Sequence, residues 1–294
     1  MKIAIYGQVY NQDSLSHINT LLKVLKSKSV AVFIESNFYN QICDLKELDV
    51  SELDFQSFDV LDQSYEVLIS IGGDGTILRA VTFVRDLDIP IVGLNTGRLG
   101  FLATIKKSKI EKAIDDIINK NYKLSERRLI SIATEPENHS LLDLNIALNE
   151  IAVSRKNTTS MITVETYLDG EYLTNYWADG LIIATPTGST GYSLSCGGPV
   201  VMPDSNNFVI TPIAPHNLNA RPLVIPDSTE IRLKVSGRED NYLVSLDSRI
   251  ATLTTETIII INKASYNIKF IELNDESFLK TLRKKLLWGE DRRN

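Results

Sequence analysis

The chain has 294 residues, 43% of them hydrophobic and 23% charged, a balance that suits a water-soluble globular protein with room for two domains. A formal net charge of −6 argues against nucleic acid as a partner, a role that favours a basic surface. Two cysteines without paired spacing, Cys43 and Cys196, argue against a disulfide framework or zinc knuckle and fit a reducing cytosol. The opening MKIAIYGQVYNQD turns polar too early for a secretion signal, and no apolar run approaches membrane-spanning length. The expected setting is the cytoplasm, with no membrane partner.

The first third alternates strand and helix. KIAIYG predicts a strand, and SLSHINTLLKVLKSK a helix with Leu15, Ile18, Leu22 and Leu25 on one face behind a serine cap at Ser14. SVAVFIES and EVLISI predict two more strands, and Thr76 to Leu87 a helix that turns Ile77, Ala80, Val81, Val84 and Leu87 inward. IPIVGLN is a further strand, and SKIEKAIDDIINK a further helix through Ile110, Ala113, Ile114 and Ile117. Such alternation predicts an α/β domain over residues 1–124, a parallel sheet covered by helices.

From about Ser125 the period changes. RLISIATE, NIALNEIAVSR, MITVETYLDGEYLTNYW, GLIIATP, FVITPIAP, EIRLKVSG, NYLVSLDS, TIIIINKA and NIKFIEL all predict strands, with Asp169-Gly170 as a two-residue hairpin. Many short strands in series predict an all-β, sandwich-like domain over 125–273. ESFLKTLRKKLLW closes the chain as an amphipathic helix using Phe278, Leu279, Leu282 and Leu286. This last element, 274–294, is expected to pack back on the α/β domain.

Chemistry concentrates in a few stretches. GGDGT, residues 72–76, follows a strand and opens a helix, where open α/β sheets bind ligands. By itself it is also a tight turn that uses glycine for positive φ. It lacks the Gly-Lys-Ser/Thr of a P-loop and the spacing of a dinucleotide fingerprint. The stretch ADGLIIATPTGSTGYSLSCGGPVV, 178–201, crowds Thr187, Gly188, Ser189, Thr190, Gly191, Tyr192, Ser193 and Ser195 into nine positions. Hydroxyls and glycine N–H groups at this density suit a ligand rich in oxygens and ring nitrogens. A mobile Ser/Gly loop would not carry flanking apolar strands and a tyrosine. Asn149 and Glu150 are adjacent in ALNEIAVSR, and strict strand alternation sends them to opposite faces. GLNTGRLGFLAT, 93–104, either shapes the same crevice or is a plain loop. His17 reads as a helix-surface residue and His139 as a loop residue. With His216 they make no metal-ligand spacing, and no Ser-His-Asp or Cys-His arrangement emerges.

Together, GGDGT, GLNTGRLGFLAT, the Asn-Glu pair, DGLIIATPTGSTGYSLSCGGPVV and IAPHNLNARPLVIP closely resemble the NAD kinase family, most clearly over residues 65–250. GGDGT is shared with lipid kinases of the diacylglycerol type and resembles the phosphofructokinase loop. TPTGSTGYSLSCGGP is far more specific to NAD kinases. The resemblance implies a Rossmann- or phosphofructokinase-like first domain, ATP and NAD as substrates, phosphorylation of the adenosine ribose 2′-hydroxyl to give NADP, a divalent cation such as Mg²⁺, and homodimers or homotetramers. It implies Asp74 as catalytic acid–base, with Gly72, Gly73 and Gly75 beside the nucleotide and Arg79 near its phosphates. Asn149 and Glu150 match the pair that holds ribose hydroxyls, and Asp179 the acid that contacts the base or carboxamide. Thr187, Thr190, Gly191, Tyr192, Ser193 and Ser195 match the adenosine-binding turn, and Arg249 a polar position at the site edge. Trp177 lies where some members carry a residue bearing on NAD versus NADH.

An acid in a phosphate-binding loop makes sense if the loop also serves a hydroxyl. Phosphoryl transfer passes through a loose transition state, so the protein mainly positions groups and stabilises charge. A carboxylate within reach of the acceptor takes its proton, worth about 10²–10⁴ in rate. A lipid kinase would need an acyl cleft that the sequence does not offer. Phosphofructokinase has no place for the hydroxyl-rich second motif. A non-catalytic NAD sensor would have no use for Asp74.

Overall fold

The computed structural model describes residues 1–8, 12–28, 30–44, 55–138, 144–157 and 160–288. The chain divides into two compact units, Met1–Glu126 with Ile268–Asn294, and Arg127–Asn267.

The first unit is a parallel sheet clothed by helices. Strands β1 (Lys2–Gly7), β2 (Ala31–Glu35), β3 (Gln56–Phe58), β4 (Val67–Gly72) and β5 (Ile91–Asn95) run in the order β3-β2-β1-β4-β5, every pair parallel, with β6 (Ala103–Ile105) beside β5. β4 and β5 are buried along their whole length, as strands covered on both faces must be. Ile3, Ile5, Ile69, Ile71 and Val92 pack against Leu22 and Leu25 of helix α1 (Gln12–Lys26) and Ile114 and Ile117 of helix α4 (Ile110–Ile118). Ser14 is not the cap of α1: the helix starts at Gln12, and Ser14 is buried inside it. Helix α2 (Ser36–Cys43) and the short strands β3 and β6 escape the sequence pattern, since α2 buries only Phe38 and Ile42. Helix α3 runs Asp74–Val84 rather than Thr76–Leu87, which makes Asp74 its first residue.

The C-terminal helix, α6 (Phe278–Leu286), belongs to this unit, with Ser277 Oγ accepting the Lys280 N–H as its cap. Phe278 meets Phe101 at 6.1 Å between ring centroids, and Lys109 pairs with Asp275 and Glu276 just before the helix. Leu282 is buried, whereas Leu279, expected on the apolar face, is 55% exposed.

The second unit is a two-layered antiparallel sandwich. One layer takes β10 (Ile162–Leu168), β11 (Glu171–Ala178), β15 (Ile231–Gly237) and the first part of β18 (Ile258–Leu273), in the order β11-β10-β15-β18. β7 (Tyr122–Glu135) lies along β18 and pairs with β8 (Ile146–Ala147). The other layer comprises β9 (Glu150–Arg155), β12 (Gly180–Ala184), β13 (Asn207–Ile213), β14 (Leu223–Pro226), β16 (Asn241–Leu246) and β17 (Arg249–Thr254), in the order β14-β13-β12-β9-β16-β17. Val153, Leu181, Ile183, Phe208 and Val244 pack with Val164, Leu233, Ile259 and Ile261 in one core. Asp169 and Gly170 adopt φ of 49° and 83°, as the hairpin signal requires. TIIIINKA and NIKFIEL are one continuous strand, β18. NIALNEIAVSR is two strands, broken at Leu148-Asn149. That break shapes the site.

Candidate functional site

In the first unit the chain leaves β4 through Gly72, whose φ is 154° and where a Cβ would lie 2.2 Å from Thr76 Oγ1. Only glycine serves there. Gly73 is extended and caps α3. The Asp74 carboxylate accepts three consecutive backbone N–H groups, from Phe101 at 2.7 Å, Leu102 at 3.0 Å and Ala103 at 3.0 Å. A Cβ at Gly100 would sit 2.0 Å from Asp74 Oδ1, so the loop closes on the acid only because Gly100 has no side chain. Asn95 stiffens this loop, accepting from Gly97 N–H at 2.8 Å and donating to the carbonyls of Arg98 and Ala103 at 2.8 and 3.1 Å. GLNTGRLGFLAT is thus the cradle of Asp74. A carboxylate has roughly four lone-pair positions, and three are taken; the residue is half-buried. Gly75 and Arg79 are exposed.

The second unit gathers the other candidates around Gly191. A Cβ there would lie 3.1 Å from Glu150 Oε2 and 3.5 Å from Asn149 Nδ2. The two neighbours therefore approach one point, against the expectation from strand alternation. The cause is the break before β9. The Asp247 carboxylate, partly buried in the turn between β16 and β17, accepts the N–H groups of Leu148 (2.9 Å), Asn149 (2.8 Å) and Glu150 (3.2 Å). Thr185 Oγ1 donates to Leu148 C=O at 2.6 Å, and Thr185 N–H to Asn149 C=O at 2.8 Å. The turn 188–190 then presses against Asn149, since a Cβ at Gly188 would meet its carbonyl oxygen at 2.0 Å.

The remaining candidates are placed less uniformly. Tyr192 is 46% exposed and Ser195 exposed, both on the single helical turn α5 (Tyr192–Ser195). Ser193 is buried, its hydroxyl 2.8 Å from that of Thr211. Thr187 is buried, its Oγ1 without a partner among the described residues, and Thr190 Oγ1 donates to Thr187 C=O. Asp179 pairs with Arg155 at 3.0 Å. Arg249 donates its guanidinium to the carbonyls of Leu144 and Ile146, so it braces the segment before Asn149. Burial holds it below the usual arginine range. Trp177 is half-exposed and stacks on His216 at 4.9 Å. His17 is half-buried on α1, and His139 lies outside the described residues.

Electrostatically, Glu150 stands apart. Burial, and then the charge of Asp247, push its carboxyl up to about 8, against one N–H bond from Tyr192. Its Oε2 has no hydrogen-bond partner among the described residues. Burial also raises Asp247, while its three N–H donors and Arg249 pull the other way. Both carboxyls are thus raised, with three N–H donors opposing the shift at Asp247 and one at Glu150. Burial, Cys196, Asp179 and Glu150 raise the Tyr192 hydroxyl.

The family model for the ATP-NAD kinase N-terminal domain matches residues 6–122, and that for the C-terminal domain matches residues 148–273. The chain belongs to the NAD kinase family. An NAD kinase of Christiangramia forsetii is 58% identical over 294 residues, all of both chains, and one of Bacteroides fragilis is 42% identical over 293 residues, again all of both. Among solved structures, yeast NADH kinase complexed with NADH superposes with a TM-score of 0.87 at 24% identity, covering all of this chain and 89% of that one. An Archaeoglobus fulgidus NAD kinase in complex with ATP gives 0.75 at 26% identity, covering 98% and 99%. In this member of the family, sequence reasoning missed Asp247. The available signal was an aspartate between two strand patterns, suited to the positive φ of 53° it adopts.

Proposed function

We propose that this chain transfers the γ-phosphoryl group of ATP to the adenosine ribose 2′-hydroxyl of NAD, giving NADP and ADP. Membership of the family supports the reaction, and the Archaeoglobus relative's complex with ATP and the yeast relative's with NADH support the two nucleotides. The observation that carries the chemistry is an acid at the first position of α3 whose carboxylate is pinned by three N–H groups and keeps a free lone-pair direction. In the proposed step, O2′ attacks Pγ, the bond from Pγ to the β,γ-bridging oxygen breaks, ADP leaves, and the hydroxyl proton passes to Asp74. Gly72, Gly73 and Gly75 present backbone to the nucleotide, and Arg79 offers its charge to the phosphates. Asn149 and Glu150 hold ribose hydroxyls, with Asp179, Thr187, Thr190, Gly191, Tyr192, Ser193, Ser195 and Arg249 forming or bracing the adenosine seat. The α/β domain carries the phosphoryl chemistry and the β-rich domain the NAD contacts.

A protein-made metal cage does not fit: among the described residues no three His, Cys, Asp or Glu side chains come together. A divalent cation is proposed to enter as Mg-ATP, whose phosphates supply most of its ligands. No helix among the described residues is long and apolar enough to cross a membrane. A cytoplasmic homodimer or homotetramer is proposed, which light scattering tests.

The deciding assay follows NADP formed from NAD and Mg-ATP, with diacylglycerol as the control acceptor. An NAD analogue lacking the adenosine 2′-hydroxyl should bind within about tenfold of NAD, the loss of roughly one hydrogen bond, and accept no phosphate. Phosphorylation of that analogue at any position would overturn the assignment of the 2′-hydroxyl.

A further inference from the structure

We propose that Asp247 is the positioning residue of the nucleotide-binding segment: its carboxylate gathers the N–H groups of Leu148, Asn149 and Glu150, and so holds the strand break that turns Asn149 and Glu150 toward Gly191. This rests on the kinase reading for the role of Asn149 and Glu150. The clamp itself rests only on geometry.

Three consecutive N–H groups at a strand break have no ladder partner, and a buried donor without an acceptor is costly. Asp247 supplies the acceptors from a residue about 100 positions away. Oδ2 takes Leu148 at 2.9 Å, and Oδ1 takes both Asn149 at 2.8 Å and Glu150 at 3.2 Å. The grip is reciprocal, because Asp247 N–H donates back to the Glu150 carbonyl at 3.0 Å. Two residues on, Arg249 holds the carbonyls of Leu144 and Ile146 on the other side of the break. One turn thus grips both arms of the break with an acid and a base, and nothing in the local sequence around Asn149 records it.

The same acid sets the charge of the site. Around the Glu150 carboxyl lie Asp247 from the β16–β17 turn and Tyr192 from α5; Arg249, at the start of β17, acts on Asp247, and Asp179 on Tyr192. Burial first, and then Asp247 beside it, raise the Glu150 carboxyl to about 8. Replacing the Asp247 carboxyl by an uncharged amide should let Glu150 ionise at lower pH.

Asp247→Asn tests the proposal, since the amide still serves Oδ1 but meets Leu148 N–H donor to donor. We expect the KM for NAD to rise roughly tenfold with kcat changed less than about threefold. The alkaline limb of NAD affinity should move to lower pH, which loss of stability alone would not produce. Glu150→Gln should abolish that limb, and the double variant should be clearly non-additive. An unmoved limb, additive effects or an unchanged KM would each overturn the positioning role. Amide hydrogen exchange reads the clamp without any activity: exchange at residues 148–150 should speed at least tenfold in Asp247→Asn, with the β12 and β13 amides protected as before. Unchanged exchange there sinks the clamp, whereas a wild-type chain that leaves NAD unphosphorylated sinks only the kinase reading.

Discussion

Asp74 and Asp247 are held by the same device in two different units. Each carboxylate accepts three consecutive backbone N–H groups, those of residues 101–103 and of residues 148–150. Their surroundings differ. Asp74 is half-buried at the start of a helix, where the dipole favours an acid. Asp247 is also only partly buried, in the turn between β16 and β17, with Arg249 close enough to act on its charge. In the first case a loop is folded so that an acid is aimed. In the second an acid is placed so that a loop is aimed. In the proposed function one arrangement of hydrogen bonds serves chemistry at Asp74 and architecture at Asp247, depending on whether the acid or the loop it holds faces the ligand.

The largest expected effect breaks the first half of the comparison. Asp74→Asn keeps the shape but removes the base, so turnover should fall by on the order of 10² or more while NAD still binds. A variant with near-normal turnover would mean that Asp74 is not the base. A smaller loss should follow from the cradle rather than the acid. Gly100→Ala drives a methyl to 2.0 Å from Asp74 Oδ1, and the displaced carboxylate should lose roughly tenfold to 10² in kcat. NAD affinity should stay within about threefold, and an unchanged kcat would show that the N–H cradle does not set the geometry of the acid.

The smallest effect concerns stability and the Glu150 that Asp247 positions. Glu150 releases its proton near pH 8 when folded but near its ordinary 4.5 when unfolded. Between those values the folded chain binds the extra proton, so ligand-free stability falls as pH rises through the window. Glu150→Gln removes that slope. Its melting midpoint should gain on the wild type steadily from pH 5 to pH 8, and parallel curves would show that Glu150 ionises normally in the fold.

What the sequence determined by itself was local and periodic. Period-two and period-3.6 patterns located most strands and four helices, and Asp169-Gly170 announced its hairpin, because side-chain burial on one face leaves a repeat in the chain. The GGDGT turn and the hydroxyl-rich turn were legible for the same reason: their glycines and hydroxyls act within a few residues of one another. α2 was not legible, since two buried residues make no repeat, nor was the burial of Ser14. Tertiary structure decided the rest. Asp74 meets its three donors 27 to 29 residues away, and Asp247 meets its own at 97 to 99. Backbone N–H groups carry no residue identity, so no residue type near Asn149 could announce that an aspartate from another strand pair would break its strand. Alternation predicted opposite faces for Asn149 and Glu150, and the distant carboxylate overrode it, because satisfying three buried donors outweighs continuing a strand by two residues.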